Sequence, residues 1–152
     1  MSISRRLFLK TSLLAGSFTA LSASMLARVA FAAWPEAAFE AAEYPAALKE
    51  IIGDEIPTES DVVIEANDIA ENGATVPVQV STELANVESI TIFVEKNPRP
   101  WISNYRFHGK SKAFVSTRLK MRETSNVVAI AKADGKLFMS KKTIKVTAGG
   151  CG

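Results

Sequence analysis

Cysteine is all but missing from this chain: Cys151, next to last in 152 residues, is the only one. No intramolecular disulfide can form, so the fold must rest on an apolar core rather than on covalent staples. Histidine is as scarce. His108, in Arg106-Phe107-His108-Gly109, is the only imidazole, and a lone histidine cannot assemble a zinc or haem site with ligands this sparse. The chain also lacks a CxxC pair, a haem-attachment motif, a glycine-rich phosphate loop and any internal repeat, so no cofactor and no metal are expected. A membrane-spanning helix needs about 20 apolar residues. The best stretch, Thr11 to Ala27, is diluted by Ser, Thr and Gly and is followed by Arg28.

That stretch reads instead as part of an export signal. Ser4-Arg5-Arg6-Leu7-Phe8-Leu9-Lys10 pairs two adjacent arginines, Arg5 and Arg6, with apolar residues and a lysine, the twin-arginine pattern. Ala30-Phe31-Ala32 supplies the small-x-small site of a signal peptidase. Residues 1–32 are therefore expected to be a signal peptide, cleaved after Ala32, delivering an already folded protein to the periplasm. Four of the 18 cations and none of the 16 acids lie in this segment. The mature chain thus carries 14 cations against 16 acids, a net charge of −2. The basic isoelectric point belongs to the precursor and gives no argument for nucleic-acid binding. No membrane contact is expected once the signal is gone. The remaining 120 residues are one domain's worth, enough to bury a core unaided.

Residues 33–60 read as a helix and a linker. Pro35 suits a first helical position, the stretch to about Ile52 is rich in Ala and Glu, and Phe39, Ala42, Leu48 and Ile52 can share a stripe. Gly53 stops the helix, and Asp54 to Ser60 is polar. From Asp61 the pattern switches to period two. Val76, Val78 and Val80 alternate with polar or turn residues, as do Ile90, Ile92 and Val94, and then Ala113, Val115, Thr117, Leu119 and Met121. Val127–Lys132 and Leu137–Thr147 give two more strands joined by Asp134-Gly135, a strong hairpin signal. Further turns are marked at Asn72-Gly73 and Asn97-Pro98-Arg99-Pro100. Six or seven short strands over residues 61–147 predict an all-β, immunoglobulin-like sandwich behind a short N-terminal helix.

Residues 148–152 remain as a glycine-rich arm. Cys151 stands among Gly149, Gly150 and Gly152, outside any hydrophobic pattern that would place it in a core. Glycine has no Cβ and visits nearly all backbone angles, so such a tail is free to reorient and slim enough for a narrow channel. Five extended residues reach roughly 15–18 Å. An exposed thiol titrates near about 8.5 and is mostly protonated at neutral pH; a carboxylate at the chain end disfavours the thiolate further, while Lys141, Lys142 and Lys145 partly offset it. A thiol at rest until it enters a partner's active site suits a carrier better than an enzyme.

Several segments carry a resemblance to a known family. The tail Gly149-Gly150-Cys151-Gly152, preceded by Lys145-Val146-Thr147, is similar to the end of SoxY, the sulfur-carrier subunit of the Sox thiosulfate-oxidation system. So are Ile69-Ala70-Glu71-Asn72-Gly73 before Val76-Pro77-Val78, the run Ile92-Phe93-Val94-Glu95-Lys96-Asn97-Pro98-Arg99-Pro100, and Phe114-Val115-Ser116-Thr117-Arg118. The family's tail typically has two glycines after the cysteine, where this sequence has Gly152. The resemblance implies a non-enzymatic covalent carrier in which Cys151 holds sulfur intermediates. It also implies a heterodimer with a SoxZ-like β-sandwich subunit, and visits to haem-containing, hydrolase and dehydrogenase components of the Sox system.

Weaker constellations read as structural. His108 reads as a surface or turn residue, and Asp54, Glu55, Glu59 and Asp61 as a solvated linker. Asn97-Pro98-Arg99-Pro100-Trp101 reads as a turn with a packed tryptophan. Two other classes stay open on the residues alone: a single-cysteine thiol oxidoreductase, and an immunoglobulin-like binding module whose tail cysteine only dimerises.

Overall fold

The alternating valines and isoleucines do form strands, and they pair into two sheets that bury their shared faces. The structure, a computed structural model, describes residues 35–59, 61–109 and 111–147. In chain order these form helices α1 (Glu36–Glu40) and α2 (Tyr44–Ile52), then strands β1 (Thr58–Glu59), β2 (Val62–Glu65), β3 (Ile69–Ala70), β4 (Val76–Thr82) and β5 (Val87–Val94). β6 (Trp101–Arg106), β7 (Phe114–Leu119), β8 (Ser125–Ala133) and β9 (Lys136–Val146) follow. The larger sheet runs β1-β9-β8-β5-β6, with β3 also paired to β9; the smaller runs β2-β4-β7. None of the described helices is long and apolar enough to cross a membrane.

Period two sets which face is buried. Val62 and Ile64 of β2, Val76, Val78 and Val80 of β4, and Val115 and Leu119 of β7 point inward from the small sheet. They meet Ile90, Ile92 and Val94 of β5, Val127, Ala129 and Ala131 of β8 and Ile144 of β9. Fully burying one Val or Ile side chain stabilises by roughly 1.5–3 kcal/mol, so this interlayer is the main source of stability. The β8–β9 hairpin turns at Asp134-Gly135 as expected, with φ of 48° and 71°, the left-handed pair that a two-residue turn of this hand requires. Asn86 Nδ2 donates to Asp134 Oδ1 at 3.0 Å, and Gly135 N–H donates to Glu88 Oε1 at 3.0 Å.

The helical segment makes a third layer. Phe93, Val128 and Ile130 lie on the outer face of the large sheet, yet they are buried, because Ala38, Phe39, Tyr44, Ala47, Leu48 and Ile51 cover them. Phe39 meets Trp101 edge-on at 6.4 Å, Tyr44 meets Phe93 edge-on at 5.6 Å, and the Arg99 guanidinium lies 4.9 Å from the Phe39 ring centre. The stretch that reads as one helix is in fact two. Pro45 stands in the first turn of α2. Its missing N–H is harmless there, but its ring excludes a helical carbonyl at Ala41. Ala42, expected on the apolar stripe, is exposed in the break. Gly53 ends α2 at φ 67° and donates its N–H to Lys49 O at 2.8 Å.

Two further segments differ from expectation. Thr58–Glu59, within the polar linker, pairs in parallel with Phe138–Met139. Trp101–Arg106 forms strand β6 on the free edge of β5; Trp101 is packed, as anticipated, but opens a strand.

Tyr44 gives the fold a pH dependence. Its phenol is pushed up to about 12, first by burial and then by the nearby Glu95 carboxylate, against an unfolded value near 10. Between about pH 10 and 12 the unfolded chain releases this proton while the folded chain keeps it, so stability falls as pH rises through that window. Tyr44→Phe is expected to flatten the fall; urea titrations at pH 9, 10.5 and 11.5 for both proteins measure it, and parallel curves would contradict it.

Candidate functional site

Cys151 and the glycines Gly149, Gly150 and Gly152 lie outside the described residues, as do Arg5 and Arg6. The structure places what precedes them. β9 is bonded along one edge to β8, from Ala133↔Lys136 to Ser125↔Ile144. β8 begins there, and β3 continues the support on the other edge, in parallel, at Ile69↔Lys145 and Ala70↔Val146. Lys145 N–H donates to Asp68 O at 2.8 Å, and Thr147 N–H donates to Ala70 O at 3.1 Å. The side vacated by β8 is taken by a side chain: Thr124 Oγ1 accepts Val146 N–H at 3.0 Å. Ile144 is fully buried, and Val146 packs on the same core. The chain is therefore held on both edges to Val146 and on one edge at Thr147, four residues before the thiol. Four residues span at most about 13–14 Å.

The loops beside this point are tied to one another. Asn97 Nδ2 donates to Lys120 O at 2.7 Å, and Arg122 N–H donates to Asn97 Oδ1 at 3.2 Å. Lys96 N–H donates to Ser125 Oγ at 3.0 Å, and Met121 N–H donates to Gly73 O at 2.7 Å. On the outer face of the large sheet Asn126 donates to Glu95 Oε2 at 2.8 Å and accepts from Thr143 Oγ1 at 2.6 Å. Ile69–Gly73 and Glu95–Asn97, two segments behind the family resemblance, thus converge on the end of the sandwich from which β9 leaves.

The SoxY family model, described as sulfur oxidation protein SoxY, matches residues 48–151, a span that starts inside α2 and ends on Cys151. The chain belongs to the SoxY family. It is also similar to the solved structure of the sulfur carrier protein SoxY from Chlorobium limicola f thiosulfatophilum, with 34% identity and a TM-score of 0.63, over 70% of this chain and 97% of that one. The β-sandwich expected from the sequence is thus the SoxY fold. A superoxide reductase (neelaredoxin) from Ignicoccus hospitalis shares 23% identity at a TM-score of 0.50, over 63% of this chain and 85% of that one, which speaks to the fold alone. A comparison with curated proteins finds no match.

The other residues singled out from the sequence are not brought together. His108 is exposed in a turn, where its carbonyl accepts Ser111 N–H at 3.4 Å and Ser111 Oγ at 2.8 Å. It lines an open cavity of about 590 Å³ with Arg106, Asn104 and Lys132. Among the described residues no three His, Cys, Asp or Glu side chains converge as metal ligands. Asp54, Glu55, Glu59 and Asp61 are exposed. Thr124 and Ser125, which bond the end of β9 and the neighbouring loop, carried no signal in the sequence, and Asn97 was marked there only as part of a turn.

If Thr124 locks the last turn of β9, Thr124→Ala leaves the Val146 N–H without its acceptor. Losing such a bond costs about 0.5–1.5 kcal/mol. A small drop in melting temperature with faster hydrogen exchange at Val146 and Thr147 is expected; unchanged exchange there would show that β3 alone holds the root.

Proposed function

We propose that this SoxY-family chain is a non-enzymatic carrier of sulfur intermediates in thiosulfate oxidation, bound through Cys151. The observation that carries this reading is the family match, which runs through residue 151 and therefore covers the only thiol in the sequence. The root supports it: a rigid sandwich holds the chain through Thr147, and the reactive group follows within about 14 Å. In the first step the Cys151 sulfur forms an S–S bond to the sulfane sulfur of thiosulfate. The thiol proton is released, and two electrons pass to a haem protein. Water then cleaves the bond between that sulfane sulfur and the sulfonate, releasing sulfate and a proton and leaving a persulfide on Cys151. A dehydrogenase then oxidises the outer sulfur of the persulfide to a sulfonate, with water supplying the oxygen atoms, protons released and the electrons passed to the dehydrogenase.

The same reading includes export to the periplasm through Arg5 and Arg6, and a heterodimer with a SoxZ-like sandwich subunit. A partner sheet has room on this chain. The outer face of the small sheet exposes Val63 and Phe114, both more than half exposed, on one cross-strand row through Ser81.

Intact-mass spectrometry of the protein from thiosulfate-exposed cells tests the proposal. Sulfane-sulfur and sulfonate additions are expected on Cys151 and absent from Cys151→Ser. Additions that survive the substitution, or that map elsewhere, would overturn it.

A further inference from the structure

The charges of this chain are sorted along it. Ten of the sixteen carboxylates lie between residues 36 and 68, accompanied by a single cation, Lys49. Residues 69–147 hold six carboxylates and thirteen cations. The fold gathers part of that surplus where the arm leaves. Lys145 is two residues before Thr147, on the strand itself. Arg122 and Lys120 flank the Asn97 bonds, and Lys96 is anchored through its N–H to Ser125, beside the Thr124 that grips Val146. All four side chains are exposed. Of the nearby acids, Glu123 is drawn to Lys96 at 3.8 Å, Asp68 pairs with Lys142 at 3.0 Å, Glu95 accepts from Asn126 at 2.8 Å, and Glu71 is exposed. The result is a basic collar on a mature chain whose overall charge is negative.

Arm length turns this patch into a docking constraint. Whatever path residues 148–151 take, Cys151 lies within about 14 Å of Thr147. An enzyme that draws the thiol into a channel must therefore rest its entrance on the collar. We propose that Lys96, Lys120, Arg122 and Lys145 form the surface on which the sulfur-processing enzymes dock, and that those enzymes present carboxylate-rich rims around their active-site entrances. This rests on the carrier reading of Cys151. Complementary charge of this kind acts on encounter and orientation, so its loss should appear in the concentration of carrier needed rather than in the chemical step.

The test uses the carrier as purified, with any partner subunit retained, and the sulfate-releasing hydrolase of the same host. Lys120→Glu with Arg122→Glu reverses two charges at the collar. Lys112→Glu with Lys136→Glu makes the same net change at the opposite end, where β7 and β9 begin. The collar pair is expected to raise KM for the loaded carrier at least about fivefold with kcat held, and to weaken the rise of KM with salt. The far pair is expected to match wild type. Melting curves and loading by a small anionic thiol reagent are expected to be the same for all. Equal KM for collar variant and wild type, or equal losses from the two pairs, overturns the proposal. So does a loading rate that falls as far as turnover does, because the collar then acts on small anions and not on an enzyme. Lys96→Glu alone, on a different loop, provides a second collar variant if the pair melts early. Cys151→Ser in the same assay separates the two readings: turnover that survives it would sink the carrier itself and not merely the collar.

Discussion

Strand β9 is paired to β8 from Lys136 to Ile144 and to β3 at Lys145 and Val146, so one edge or the other is supported to its end, and the rest of the molecule is arranged around that fact. An edge strand leading into a terminal tail frays from the tail inward, because half its amides already face water. Here β8 supports one edge as far as Ile144. β3 then joins the other edge for Lys145 and Val146, and Thr124 Oγ1 supplies the bond that β8 can no longer give. The handover from antiparallel partner to parallel partner and side chain lets the chain leave the sandwich at a defined point. A carrier needs such a point, since the position of its payload is known only as well as the root is fixed.

Support for β9 depends in turn on the strands behind it. β5 and β8 are buried on both faces, which is why Val127 to Ala131 is an unbroken apolar run rather than an alternating one. Strands covered on both sides have that composition, and the second cover is the helical segment. α1 and α2 are short and could not persist alone in water; they are held by Phe39, Tyr44 and Leu48 against Phe93, Trp101 and Val128. The N-terminal segment is thus a structural layer, and Glu36, Glu40, Glu43 and Glu50 give it four of the sixteen carboxylates.

What could be read from the sequence was whatever is local. Alternation at Val76–Val80 and Ile90–Val94, the Asp134-Gly135 turn and the stop at Gly53 each depend on neighbours within a few residues, and the structure contains them all. β6 was not legible, because a register shift at Ile92/Phe93 sets Ile92 against Ser103 but Phe93 against Trp101. A bulge of this kind puts apolar residues side by side and erases the period. The helix break at Pro45 was legible in principle; an Ala- and Glu-rich stretch masked it. β1 and β3 are two residues each, too short for any pattern. Cys151 stood out because it is the only thiol, whereas the clamp at its root joins Thr124 to Val146 and Lys96 to Ser125. Bonds across 22 and 29 positions leave no trace in local sequence.

A short arm on a fixed root has a consequence for the order of events. A long tether would let two enzymes sit on different faces of one carrier and share its thiol. An arm of four residues beyond Thr147 sweeps at most about 14 Å, less than the breadth of a typical interface of about 800 Å² per partner. On the proposed reading, two enzymes of ordinary size could not both engage the same collar, so their visits would be sequential, each released before the next begins. Binding strong enough to make one visit efficient would then delay its successor. Charge attraction at an exposed, solvated collar would meet that requirement: it speeds encounter while adding little to residence, and under the proposed function it would leave the bond to Cys151, not the grip on the protein, to carry the intermediate from one enzyme to the next.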